Sequence, residues 1–138
     1  MSAVQRDDIV RLIEQFAQAI AQIVAAVRAG DFDLALITVS RTRDLVLGNL
    51  GPVMERLDAT SVVDLFGKHD IDRVRIYAAL LAEEGTIREL RGEAPRAQHC
   101  FRRALDLYNA IAASGARLQP ADWERMETLQ PKLEALNG

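Results

Sequence analysis

An all-α fold of about five to six helices, arranged as antiparallel hairpins, follows from three observations on the chain. Apolar residues recur at helical spacing from end to end, with no run of strict alternation. Alanine and leucine are abundant while aromatics make up only 5% of the residues, a composition that favours helices over a sheet. Glycine and proline cluster at a few places, where they punctuate the helical pattern. The 138 residues suit a single domain, 1–138, long enough to bury a core without a metal or disulfide staple.

Taken in order, Ile9, Leu12, Ile13, Phe16, Ile20, Ile23, Val24 and Val27 fall on one broad face of a first helix from about Asp7 to Ala29. That whole face is expected to be core. The reverse side sets Ala19, Ala25 and Ala26 among Arg11, Gln15, Gln18 and Gln22, small enough for a second helix to come close. Gly30 ends this helix and Asp31 caps the next, about Phe32 to Leu47, because glycine tolerates a left-handed helix end and aspartate accepts from free N–H groups. "GNLGP", Gly48 to Pro52, breaks the pattern, and a short helix, about Ser61 to Phe66, precedes "GKHD", Gly67 to Asp70.

From about Asp72 to Arg91 the apolar residues occupy two faces. Val74, Tyr77, Ala78, Leu81 and Gly85 hold one; Ile76, Leu80, Ile87 and Leu90 hold the other. A helix of this kind is expected at the centre, covered on both sides. Gly92 ends it, Pro95 suits the first turn of the following helix, and Ala97, Cys100, Phe101, Ala104, Leu105, Tyr108 and Ile111 form the next stripe. "SGARLQP" closes that helix. Pro120 opens a last one, a cap whose Trp123, Met126, Leu129, Leu133 and Leu136 share a side and which Pro131 is expected to bend or interrupt.

With Gly85 seven residues ahead of Gly92, and Ala97, Phe101 and Ala104 after it, the hairpin Val74 to Tyr108 resembles a tetratricopeptide repeat, in which small residues let two antiparallel helices cross closely. "AGDFDLAL", Ala29 to Leu36, resembles a second such turn, since Gly30, Ala35 and Val39 repeat the spacing of Gly92, Ala97 and Phe101. Ile23 and Thr42 depart from the pattern at the places of Gly85 and Ala104, and the two turns lie 62 residues apart. Tandem repeats of this family recur about every 34 residues, so the chain is not a regular array. The order of elements is also similar to an uncharacterised family of small bacterial helical proteins. What these resemblances imply is a TPR-like bundle; packing motifs do not supply a function.

The net charge of -3 argues against binding that depends on neutralising many phosphates, so nucleic acid is not an expected partner. Cys100 is the one cysteine, which excludes an intramolecular disulfide and a cysteine-rich metal site and suits a reducing compartment, the cytoplasm. The opening "MSAVQRDDIV" lacks the features of a secretory signal, and the most apolar run, Phe16 to Val27, is short of the ~20 residues of a spanning helix, so no membrane partner is expected.

Catalytic constellations are missing from the pattern. Glu83 and Glu84 point about 100° apart on a helix, as do His99 and Cys100, and His69 has no second ligand at a metal-binding spacing. Glu84, beside Gly85, is the one expected to be buried, and Cys100 is expected in the core with His99 on the polar side. No catalytic, cofactor-binding or metal site is therefore expected. The arginine pairs Arg41 and Arg43, Arg73 and Arg75, and Arg102 and Arg103 are read as solvated faces balanced by Asp44, Asp72 and Asp106. The Lys and Asn side chains with which some tetratricopeptide domains hold a peptide carboxylate are missing from the inner helix, which offers Tyr77, Arg88 and Arg91 instead.

The expectation is a non-enzymatic helical protein–protein interaction module, binding another protein or itself as a homodimer. The dimer contacts are expected at Ala19, Gln22, Ala25 and Ala26 of the first helix, because a stack of fewer than about three helical units still has a face to cover. The alternative is a small-ligand or phosphate-binding regulator, using Tyr77, Arg88, Arg91 and Arg103 in the groove beside the central helix.

Overall fold

Two glycines turn the chain back on itself by the same hydrogen-bond pattern. In the computed structural model, which describes residues 3–137 and the side chains of 8–136, Gly30 and Gly92 adopt φ of +76° and +80°. The N–H of Asp31 donates to the carbonyl of Ala26 and that of Gly30 to Val27; Glu93 and Gly92 repeat this with Arg88 and Glu89. These are paired helix-end bonds that need a left-handed residue at the turn, where a side chain is strained. The first turn joins α1 (Ala3–Arg28) to α2 (Phe32–Leu47) and the second joins α5 (Ile71–Leu90) to α6 (Ala94–Ala113). Between the hairpins lie a 3-10 turn at Gly48–Leu50, the single turn α3 (Gly51–Met54), the short helix α4 (Ala59–Phe66) and a second 3-10 turn at Lys68–Asp70. α7 (Pro120–Asn137) closes the described chain, in which there is no strand. Asp31 caps α2 by accepting from the N–H of Leu34, and Asp58 caps α4 by accepting from that of Ser61.

The fold is all-α, with α5 at its centre: α1, α2, α4, α6 and α7 all pack on it. The two-faced pattern of α5 is thus accounted for, and Ile76, Tyr77, Ala78, Ala79, Leu80, Leu81 and Ala82 are buried in succession. One continuous cluster of apolar side chains runs from Leu12 in α1 to Leu133 in α7, with Tyr108 and Phe101 its largest fully buried members. The crossing of α5 and α6 is close because Gly85 has no side chain. A Cβ there would stand 2.5 Å from the Phe101 ring.

Four residues read as core are half-exposed instead. Ile13 and Val24 are 43% and 37% exposed, because α1 packs chiefly on α2 and only lightly on α5, which covers part of a broad apolar arc. Leu12, Ala19, Ile23 and Ala26 fill that narrower contact. Leu90, 53% exposed, is the last residue of α5, where its second face runs out of neighbours, and Trp123, 50% exposed, turns away while Leu129 and Leu133 anchor α7. Helix α7 also continues through Pro131, which is exposed and gives up one backbone bond without ending the helix. Asp8–Arg28 of α1, 21 residues that include an 18-residue window of mean hydropathy 1.3, is long and apolar enough by length and composition to cross a membrane, a longer stretch than the Phe16 to Val27 run considered above.

Candidate functional site

Helices α2, α5 and α6, with the end of α3, enclose a cleft of about 400 Å³. Tyr77 and Arg103 line it, which places two of the four residues singled out for a ligand in one site. The chemistry of the cleft centres on Glu84. Its carboxylate accepts from Arg43 Nη1 of α2 at 3.2 Å and from Arg88 Nε at 3.0 Å, and the Cys100 thiol lies 3.5 Å from Oε2. Arg88 also reaches Glu93 at 3.2 Å, which ties the turn between α5 and α6 to the same network. Arg103 donates to the Met54 carbonyl at 2.6 Å and so pins α3 to α6. Arg91 does not line the cleft; it pairs with Asp33 at the start of α2 at 3.1 Å and with Glu93 at 3.7 Å.

These arginines are therefore occupied by partners within the chain. Burial lowers the Arg88 pKa, but Glu84 and Glu93 outweigh it and hold the guanidinium above its ordinary value. Burial and the Glu84 carboxylate push the Cys100 thiol up to about 12, which favours the protonated thiol at neutral pH, and His99 lines the same cleft. Arg43, read as part of a solvated face, instead turns to Glu84, and Glu55 was not singled out at all, since both come from segments with no pattern linking them to α5.

Two adjoining clefts run over α5 beside α7, sharing Ala121 and Arg125, and α1 borders only the first. The first, about 430 Å³, is bounded by Ile13 and Phe16 of α1 and by Ile76 and Ala79 of α5. It is edged by a buried ion network in which Arg75 bonds Asp122 at 2.6 Å and Asp72 at 2.7 Å, while Asp122 also accepts from the Gln119 N–H at the start of α7. The second, about 320 Å³, is lined by Glu83, Thr86 and Lys132. Arg125 belongs to both and lies 6.0 Å from the centre of the Phe16 ring. Burial raises the Glu83 carboxyl against the pull of Arg125 and Lys132. It likewise pushes the Tyr108 phenol up to about 12 against the pull of Arg125, and among the described residues no hydrogen bond of ordinary geometry reaches the buried hydroxyl. Among the described residues, no three His, Cys, Asp or Glu side chains are grouped to hold a metal ion.

The four residues assigned to a dimer contact divide into two sets. Ala19 and Ala26 are 6% and 5% exposed and are spent on packing inside the chain; Gln22 and Ala25 face outward. The alanine side of α1 is thus partly its own core, and the uncovered apolar surface lies elsewhere, at Val10, Ile13 and Val24.

No family model matches this chain, and neither does any curated protein or solved structure. Its chemistry is read from its own residues.

Proposed function

We propose that the protein is a non-enzymatic helical interaction module of the cytoplasm whose first partner is a second copy of itself. One observation carries this reading. Helix α1, at 26 residues the longest in the chain, holds an 18-residue window of mean hydropathy 1.3 of which only 28% is buried. A helix this apolar gains most of its stability from packing, and an exposed apolar stripe on a soluble chain marks a contact surface. The buried, protonated Cys100 suits a reducing compartment.

The ligand-binding reading has less support. Of its four residues, Arg88, Arg91 and Arg103 are engaged with Glu84 and Glu93, with Asp33, and with the Met54 carbonyl, so an anionic ligand would have to displace bonds that hold helices together. Sedimentation equilibrium from low to high micromolar concentration tests the proposal. A mass rising from monomer to dimer is expected. Monomer alone at the highest concentration overturns self-association.

A further inference from the structure

Val10, Ile13, Ala17, Ile20, Val24 and Val27 follow one another along α1 at alternating steps of three and four residues. This is the spacing of the a and d positions of a coiled-coil seam. Val10, Ile13 and Val24 are 49%, 43% and 37% exposed, Ala17 is exposed, and Ile20 and Val27 are partly buried. Five of the six are Val or Ile, which keep one χ1 rotamer in a helix and so lose little freedom when packed. On one flank Phe16 and Ile23 turn into the chain's own core. The other flank, seven residues apart in sequence, reads Glu14, Ala21 and Arg28, acidic ahead and basic behind.

Lipid is a poor match for this stripe. Gln15, Gln18 and Gln22 dominate the polar back of α1, where Arg11 is offset by Asp8, so there is none of the Lys/Arg excess with which an interfacial helix holds an anionic surface. The stripe is instead its own complement. Laid against itself in the reverse direction with all six residues overlapping, it sets a against d throughout; a slip of one heptad leaves two of the six unpaired on each copy. Reversal also runs the flank's acid-to-base order against that of the other copy and opposes the two helix dipoles, which a parallel pair would align. The 18 residues from Val10 to Val27 run roughly 27 Å, about 10 Å wide. Two such strips face each other over about 540 Å², the size of a weak, concentration-dependent pairing rather than a permanent one.

Building on the self-association argued above, we propose that two copies pair through α1 as an antiparallel seam in which Val10 meets the partner's Val27, Ile13 the partner's Val24, and Ala17 the partner's Ile20. The test adds one cysteine at a time. Val10→Cys and Val27→Cys are oxidised separately and after co-refolding as a mixture, with the wild-type chain, whose Cys100 is buried, as the control. A disulfide-linked dimer is expected from the mixture and from the double variant, and not from either single variant alone. Cross-linking of a single variant with itself overturns the antiparallel direction. Absence of any cross-link in samples that sediment as dimers overturns the seam and leaves self-association standing through another surface; monomer in every sample overturns self-association itself. Val24→Glu, at an exposed position, is expected to raise the dimer dissociation constant at least about 100-fold with helix content retained, and an unchanged constant also overturns the seam.

Discussion

Phe101 and Gly85 form the contact on which the central hairpin depends. Phe101→Ala removes a fully buried ring from a site whose neighbours are backbone and core side chains, and is expected to cost about 3–5 kcal/mol in denaturant unfolding. Gly85→Leu should be comparably harmful for the opposite reason, since its first side-chain carbon already collides with the ring. An unmoved midpoint for both would mean that the helices cross elsewhere. This contact was legible in the sequence because both residues sit on periodic stripes facing one another across a short turn. Glu83 was not so legible: its burial depends on α7, which comes from more than thirty residues away. A carboxyl raised on folding holds its proton more tightly in the native chain than in the unfolded one. It therefore favours the fold below the ordinary carboxyl range and loses that contribution as pH rises through its native value. Glu83→Gln is accordingly expected to be more stable than wild type at pH 7, with the gap closing towards about pH 4; a gap that widens in acid would contradict the assignment.

Among the elements, α2, α5 and α6 are joined by the ion network around Glu84, whose side chain is only 13% exposed. Glu84→Ala leaves Arg43 without its carboxylate and takes one of two from Arg88, and is expected to cost about 1–3 kcal/mol. Asp33→Ala supplies the contrast, because its pair with Arg91 is largely exposed and should contribute less than about 1 kcal/mol. Paired thermal unfolding curves decide the matter: equal shifts would show that burial does not set the strength of these bridges. Helix existence and order were readable from periodicity and from the Gly30 and Gly92 punctuation. Which part of the apolar arc of α1 its own neighbours cover was not. Leu12 and Ile13 are adjacent on that arc, yet one is 8% exposed and the other 43%. A single helix's pattern records which side is apolar and is silent on how many neighbours stand there. The arginines of the cleft were illegible for the same reason: Arg43 finds Glu84 41 residues away and Arg103 the Met54 carbonyl 49 residues away, across distances that no local spacing encodes.

At the scale of the whole molecule, the chain is a central hairpin sheathed by other elements and an N-terminal hairpin attached mainly along one side. α5 is held by five other helices, while α1 leans almost wholly on α2. Such unequal attachment means unequal cooperativity. Amide protons of α5 are expected to exchange with solvent only through complete unfolding, and those of α1 through a smaller opening in which the first helix detaches while the rest stays folded. Raising protein concentration should slow exchange in α1 and leave α5 unchanged, because pairing closes the opening from outside. The uncovered stripe of α1 then makes the first helix a reporter of its own occupancy: a lone copy keeps that helix on a loose hinge, and a second copy locks it.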